Sequence, residues 1–228
     1  MKTTWLKNRG ADEVVLFFNG WGMDDRIASF LYDQCADDFP ADLLACSDYR
    51  TLQPEVDFAA LSERYGRITV VAWSFGVWAA QHAGLERVHR AIAVNGTRNP
   101  VSVSEGIPPD IFNATLSGYS DENRKRFNRR MCGSGEVLDL FSTLSPGRDT
   151  AAQLEELACL GDHLRSAIAR SPATWRYSHA IIGGRDMIFA APNQFNAWKG
   201  VPQTIIAEMP HFPFYHFRTF TEVLECMG

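Results

Sequence analysis

A serine placed between a strand and a helix is the most reactive feature of this sequence. Ser74 follows the apolar, β-branched run 68–71 and precedes a run that favours a helix. Small residues, Ala72 and Gly76, stand two positions before and after it, as a sharp strand-to-helix turn requires, although Gly is more usual than Ala at the first position. Such a turn exposes a serine hydroxyl at a helix N-terminus, where the helix dipole favours negative charge. The pattern predicts the nucleophile of a serine hydrolase.

A serine hydroxyl becomes a good nucleophile only when a histidine takes its proton and a carboxylate holds that histidine. Asp186 follows a short strand and the turn 183–184, and His211 follows the last predicted strand. The chain order Ser, Asp, His is the one that α/β-hydrolases use. Both side chains should lie with Ser74 at the C-terminal edge of the sheet, where open α/β sheets bind their ligands. These three residues form the predicted catalytic triad.

Two residues are alternatives for the base and the carboxylate. His216 is a second histidine near the last strand, but the pattern places it inside a C-terminal helix. Asp162 is an alternative carboxylate in a predicted helical segment. The remaining histidines fit surface or core positions better: His82, His89, His163 and His179.

The oxyanion that forms during acyl transfer needs two N–H donors. One is expected from the residue after the nucleophile, Phe75, and the other from the loop after an early strand. The loop 19–22 has the sequence NGWG, and the amide of Trp21 is the candidate because glycines let the backbone turn inward. Four aromatic residues near these positions fit either an acyl pocket or the core, and the sequence leaves this open: Trp21, Trp73, Phe75 and Trp78.

Short apolar runs alternate with helical segments, which predicts an α/β-hydrolase fold, with a mostly parallel sheet and helices on both faces. Strands are predicted at 14–18, 43–46, 68–71, 90–94, 179–182 and 204–207. Any N-terminal antiparallel hairpin, around residues 8–10, must be short because the first strong strand begins near residue 14.

Between about residues 98 and 172 the strand pattern disappears and helical patterns dominate, including amphipathic runs at 136–141 and 151–169. A helical insertion between two strands is typical of a lid. We therefore expect a core in two parts, 1–97 and 172–228, with a helical lid at 98–171.

Composition and charge exclude several classes of function. A chain of 228 residues that is 46% hydrophobic can bury a large core. Its net charge of −5 argues against binding to nucleic acid or anionic membranes. Five scattered cysteines without a CxxC pair favour free thiols in a reducing cytoplasm and no metal site. No signal segment or membrane span is visible, and we expect a cytoplasmic monomer without a cofactor.

Three segments together resemble the short, BioG-type pimeloyl-[acyl-carrier protein] methyl ester esterases of biotin synthesis. They are FFNGWGMD at 17–24, AWSFG at 72–76 and PHFPF at 210–214. The first is the most specific of the three, because most α/β-hydrolases carry His-Gly at that place. The resemblance covers most of the predicted core, and the lid is less distinctive.

The resemblance implies roles for the same residues that the motifs indicate. Ser74, Asp186 and His211 would be the triad, and Trp21 and Phe75 the oxyanion donors. It also implies hydrolysis of the methyl ester at the far end of a pimeloyl chain that is held as a thioester on an acyl-carrier protein.

Five basic residues fall within seven positions of the predicted lid. They are Arg124, Lys125, Arg126, Arg129 and Arg130. On a helix they would form a broad positive face, since residues four apart are neighbours, and Phe127 would point inward. The face is either simply solvated or a docking site for an acidic acyl-carrier protein, whose approach a positive potential would accelerate.

Two other classes of function remain open. A general short-chain carboxylesterase or an acyl thioesterase would use the same fold and triad. A non-catalytic binding module on this fold is the second alternative, and the intact order of Ser, Asp and His argues against it.

Overall fold

The computed structural model describes residues 1–35, 39–166 and 173–226. Within them, seven strands form one sheet in the order β1-β3-β2-β4-β5-β6-β7. The strands are β1 Lys2–Lys7, β2 Glu13–Phe18, β3 Asp42–Ser47, β4 Arg67–Trp73, β5 Arg90–Val94, β6 His179–Gly183 and β7 Gln203–Ile206. Strands β2 to β7 run parallel, and β1 is antiparallel to β3.

Helices cover both faces of the sheet. They are α1 Arg26–Asp33, α2 Phe58–Arg64, α3 Phe75–His82, α8 Ala191–Ala197 and α9 Phe220–Glu225. Along β2, Leu16 packs in the apolar cluster beneath α2, α3 and α8, whereas Phe17 packs in the cluster beneath α1 and α9. Because both faces are covered, the strand residues are continuously apolar rather than alternating. The predicted mostly parallel sheet is confirmed.

The N-terminal strand differs from the expected hairpin. β1 pairs with β3 rather than with β2. The reason is Asp42, whose buried carboxylate accepts the N–H groups of Arg9 at 2.7 Å and Gly10 at 3.0 Å and so fixes the turn between β1 and β2 against the start of β3. Burial acts to raise the pKa of Asp42, but hydrogen bonds from these amides and from the Tyr65 hydroxyl lower it overall.

Four described helices lie between β5 and β6: α4 Pro109–Gly118, α5 Asp121–Cys132, α6 Gly135–Thr143 and α7 Thr150–Ser166. They pack over the C-terminal edge of the sheet, where Phe112 of α4 meets Phe75 with ring centroids 6.1 Å apart. The helical insertion therefore lies where the sequence predicts it. Residues 167–169 of the predicted helix 151–169 lie outside the described residues, and the division into core and lid stays a prediction.

All five cysteines lie among the described residues, and all are free thiols. Burial raises the pKa of the Cys132 thiol to about 12, which keeps it protonated at neutral pH. Among the described helices, none combines the length and the hydropathy needed to cross a lipid bilayer.

Candidate active site

Ser74 occupies a strained turn between β4 and α3. Its backbone has φ 60° and ψ −128°, a conformation that residues other than glycine rarely adopt. The turn packs so closely that a Cβ on Gly76 would lie 2.4 Å from the carbonyl oxygen of Phe18, and one on Gly96 would lie 2.3 Å from that of Ser74. Close backbone contact therefore requires glycine at position 76, as the turn pattern predicts. The turn holds the Ser74 side chain at the C-terminal edge of the sheet.

Ser74, His211 and Asp186 form one chain of hydrogen bonds. The Oγ atom of Ser74 lies 3.0 Å from Nε2 of His211, and Nδ1 of His211 lies 2.9 Å from Oδ2 of Asp186. All three residues are buried. When Nδ1–H donates to the carboxylate, Nε2 is free to accept the hydroxyl proton. The geometry therefore fits a nucleophile, a base and an orienting carboxylate.

Three further donors hold the Asp186 carboxylate. Its Oδ1 accepts the N–H groups of Ile188 and Phe189, both at 2.8 Å. Its Oδ2 accepts Nε2 of Gln194, a fully buried residue of α8, at 3.0 Å. Sequence reasoning missed Gln194, because no motif marks a lone buried amide.

The loop that carries His211 is held by residues from two strands. The indole N–H of Trp73 donates to the carbonyl of His211 at 2.9 Å. The side-chain amide of Asn95 donates to the carbonyls of Pro210 at 2.8 Å and His211 at 3.1 Å. The ring of Phe189 stacks on the imidazole with an interplanar angle of 10°. The sequence gives no local signal for the contacts of Asn95 with the loop of His211.

The two predicted oxyanion donors lie at the same cavity as Ser74. Phe75 begins α3, and the first N–H groups of a helix have no partner within the helix. Trp21 follows Gly20, where a Cβ would lie 2.9 Å from the ring of Trp73. The structure thus brings both residues to the cavity that Ser74 lines. That their amides bind an oxyanion stays a prediction.

The cavity above Ser74 is narrow, with a volume of about 30 Å³. Its lining is apolar except at Ser74, His211 and Thr115. Three of the four aromatic residues that the sequence offered for an acyl pocket contribute to the lining: Trp21, Trp73 and Phe75. Trp78 does not; it is buried, stacks on His82 and borders a separate groove.

The alternative base and carboxylate lie elsewhere. His216 is exposed and follows the short 3-10 turn Pro213–Tyr215, ahead of α9. The prediction that it lies inside the C-terminal helix is wrong, because that helix is capped by Thr219 and begins only at Phe220. Asp162 is exposed on α7 and pairs with Arg165.

Helix α5 carries the basic cluster. Four of its members are exposed, Lys125, Arg126, Arg129 and Arg130, and Arg124 is half-buried. Phe127 points inward, as expected, and its ring centroid lies 5.3 Å from that of Trp21. A groove between α4 and α5 has Arg126 and Arg130 in its lining and meets the cavity at Thr115 and Phe127. The positive face therefore borders a groove that shares two lining residues with the cavity above Ser74.

Comparison with protein families and solved structures gives the following relationships. The family described as pimeloyl-ACP methyl esterase BioG matches residues 1–224. The crystal structure of BioG from Haemophilus influenzae superposes with a TM-score of 0.82 at 30% identity, over 97% of this chain and 98% of that chain. An esterase from Exiguobacterium antarcticum superposes with a TM-score of 0.67 at 14% identity, over 97% and 92% of the two chains. The second likeness shows the fold alone, and the predicted α/β-hydrolase fold is confirmed.

Two proteins are similar in sequence. A malonyl-[acyl-carrier protein] O-methyltransferase of Bacteroides fragilis is 39% identical over 191 residues, which are 82% of this chain and 36% of that protein. An uncharacterized protein of Haemophilus influenzae is 33% identical over 221 residues, which are 95% of this chain and 96% of that protein. The chain thus spans about a third of the length of the first relative and nearly all of the second.

Proposed function

This chain belongs to the pimeloyl-ACP methyl esterase BioG family, and from that membership we propose that it hydrolyses the methyl ester of pimeloyl-[acyl-carrier protein] to the free carboxylate and methanol. Membership of this family and the esterase fold make it a hydrolase of biotin synthesis. The observation that carries the finer proposal is the hydrogen-bonded chain of Ser74, His211 and Asp186 beneath an apolar cavity.

The first half of the proposed reaction transfers the acyl group to Ser74. Oγ attacks the ester carbonyl carbon while Nε2 of His211 takes the hydroxyl proton, and Asp186 stabilises the imidazolium that forms. The carbonyl electron pair moves to oxygen, where the amides of Trp21 and Phe75 donate hydrogen bonds. The tetrahedral intermediate then expels the methoxy group, which His211 protonates to methanol, and an acyl ester of Ser74 remains.

The second half returns the enzyme to its starting state. Water takes the place of methanol, and His211 removes one of its protons as the oxygen attacks the acyl ester. Ser74 leaves with the proton from Nε2. The products are the carboxylic acid, which ionises at neutral pH, and free enzyme, so that water is the only co-substrate in the proposed cycle.

The cavity and the groove support hydrolysis of the methyl ester rather than of the thioester that joins the acyl chain to the carrier. An acyl-carrier protein is too large to enter the cavity, and we propose that the acyl chain passes between α4 and α5, at Thr115 and Phe127, which line both the groove and the cavity. The methyl ester at the far end would then reach Ser74, and the thioester would stay outside. We propose that the helical insertion acts as the lid of this route.

The basic face of α5 supports an acyl-carrier protein as the partner. Two of its four exposed cations, Arg126 and Arg130, line the groove although the whole chain has a net charge of −5. Charges at the rim of an interface mainly change the association rate and its dependence on salt, rather than the chemical step. We propose that Arg126, Arg130 and their neighbours bind the acidic carrier.

The free cysteines support a reducing cellular compartment for this enzyme. All five are thiols, which fits a reducing compartment, and we propose that the enzyme works in the cytoplasm.

The test is an assay of the purified enzyme on the methyl ester of pimeloyl-[acyl-carrier protein], followed by mass spectrometry of the intact carrier. We expect methanol and a carrier that keeps the pimeloyl group without its methyl group. Release of free monomethyl pimelate would instead identify a thioesterase. Activity on p-nitrophenyl esters alone would indicate a general carboxylesterase. Failure of a fluorophosphonate to label Ser74 would indicate a binding module.

A further inference from the structure

A buried carboxylate of the helical insertion holds the loop that contains Trp21. Glu156 of α7 has no exposed surface. Its Oε2 accepts the N–H of Gly22 at 3.0 Å, and its Oε1 accepts the N–H of Tyr49 at 2.9 Å. Arg148 forms an ion pair with the same carboxylate. A buried charge is tolerated only when it is paired and hydrogen-bonded, and Glu156 meets that condition by joining two loops of the core to the insertion.

Gln153 lies one turn earlier on the same face of α7 and bonds to the same loop. The side-chain Nε2 of Gln153 donates to the carbonyl of Gly22 at 3.0 Å. The backbone carbonyl of Gln153 accepts the indole N–H of Trp21 at 2.8 Å. Its Oε1 accepts the hydroxyl of Tyr119 at 2.7 Å. Glu156 and Gln153 therefore hold the N–H and the C=O of Gly22 together with the side chain of Trp21.

These contacts determine the direction of the Trp21 amide. The N–H of Trp21 and the carbonyl of Gly20 belong to the same peptide unit. That carbonyl accepts the N–H of Met23 at 3.4 Å. A trans peptide is planar, so its N–H points away from its C=O. The next residue, Gly22, has φ +77° and, as a glycine, would rotate freely without its partners. Fixing both polar groups of Gly22 therefore restricts the neighbouring peptide as well.

We propose that Glu156 is a positioning residue for the ester hydrolysis proposed above, because it keeps the Trp21 amide directed at the oxyanion. The inference rests on the proposed function and extends it, since formation of the oxyanion site then depends on the helical insertion. Burial raises the pKa of Glu156 overall, although the charge of Arg148 and the amide of Tyr49 oppose that rise. The ionised carboxylate thus depends on the contacts that it makes.

The test compares Glu156→Gln with Glu155→Gln. The first replaces one acceptor by an NH₂ group that faces a backbone donor, while the second alters an exposed neighbour whose only described ion pair is with Arg50 at the surface. Losing an oxyanion donor outright costs ~10²–10³ in kcat, so we expect ~10- to 100-fold from misdirecting one. The loss should appear on the carrier-linked ester and on a small p-nitrophenyl ester, with KM little changed. Glu155→Gln should stay within about twofold of wild type, since exposed ion pairs contribute little.

A pair of inhibitors separates positioning from general structural damage. A trifluoromethyl ketone analogue adds to Ser74 and places a negative oxygen in the oxyanion site, whereas the matching amide binds as an uncharged ground state. Affinity for the ketone should fall in Glu156→Gln as kcat falls, because a transition-state analogue loses the same interaction. Affinity for the amide should stay at the wild-type value.

A second variant covers the case in which Glu156→Gln does not fold. Gln153→Leu removes the bond to the Gly22 carbonyl without leaving a charge unpaired, and it should lower kcat and ketone affinity in the same way. Wild-type kcat in the folded variants, or an equal loss of affinity for ketone and amide, would overturn the positioning role. A wild-type enzyme that hydrolyses neither ester would instead overturn the proposed function.

Discussion

Replacing Asp186 by asparagine tests the proposed triad most directly. The carboxylate accepts Nδ1–H of His211 and Nε2–H of Gln194 at Oδ2, and the amides of Ile188 and Phe189 at Oδ1. Asparagine has the same shape, but it has an NH₂ group in place of one carboxylate oxygen, and that group cannot accept a hydrogen bond. The effect on activity depends on whether the NH₂ group faces His211 or the backbone amides of Ile188 and Phe189.

The backbone donors decide the orientation of the asparagine. Both lie 2.8 Å from Oδ1 in a tight turn, so the remaining oxygen has to face them. The NH₂ group then faces His211 and Gln194. Gln194 would have to rotate its side-chain amide to accept, which breaks the hydrogen bond that its Nε2 donates to the carbonyl of Phe189 at 2.7 Å. His211 must then accept at Nδ1 and carry its proton on Nε2, the tautomer that cannot take the proton of Ser74.

The matching substitution in a serine protease lowers kcat ~10⁴-fold, which corresponds to about 5 kcal/mol of transition-state stabilisation. We expect a loss of ~10³- to 10⁴-fold here on a small ester, with thermal unfolding close to that of wild type because the shape is kept. Asp162→Asn is the matched control, since that exposed carboxylate lies away from the site. The reasoning is refuted if Asp186→Asn stays within about tenfold of wild type, or if Asp162→Asn causes the loss instead.

Three other predictions follow from contacts described above. Ser74→Ala should lose several orders of magnitude in kcat and all fluorophosphonate labelling. His216→Ala, at an exposed position, should behave as wild type in the same assays. Loss of activity in His216→Ala would mean that His211 is not the base. Reversing Arg126 and Arg130 to Glu should raise KM for the carrier-linked ester in a salt-dependent way and leave a small ester unaffected, and equal losses on both would contradict docking. Asp42→Asn should lower the free energy of unfolding in urea by about 2 kcal/mol at neutral pH. Because folding lowers the pKa of Asp42, its stabilisation is present above the unfolded pKa of about 4 and is lost as pH falls through the folded value, so the difference from wild type should shrink in acid, and a constant difference would contradict the assignment.

Local signals account for the parts that the sequence predicts well. Strand β5 has the predicted limits, 90–94, because a short apolar run between polar neighbours marks a buried strand. Ser74, Asp186 and His211 come together because parallel strands end at the same edge of the sheet, so that residues far apart in sequence meet there. Neither inference needs knowledge of a specific tertiary contact.

Pairings between distant segments account for what the sequence does not show. Glu156 and Tyr49 are separated by 107 positions, and no periodicity links a buried carboxylate of one helix to a loop of the core. The pairing of β1 with β3 is similar, because the turn after β1 is held by the buried carboxylate of Asp42, at the start of β3 and 33 positions from Arg9. The role of Gln194 likewise becomes visible only from its hydrogen bond to Asp186. Sequence patterns identify the elements, whereas single buried polar residues determine how loops from different elements are joined.

The apolar cavity bears on how a catalytic cycle ends. A methyl ester is neutral, but the acid that hydrolysis produces is negatively charged at neutral pH. No lysine or arginine stands among the described residues that line the cavity, so the new carboxylate is separated from water without a cation to pair with it. The cationic groups begin only at the outer groove, with Arg126 and Arg130. In the proposed reaction, charge creation at Ser74 favours departure of the product, and the apolar cavity that admits the neutral ester disfavours rebinding of the acid.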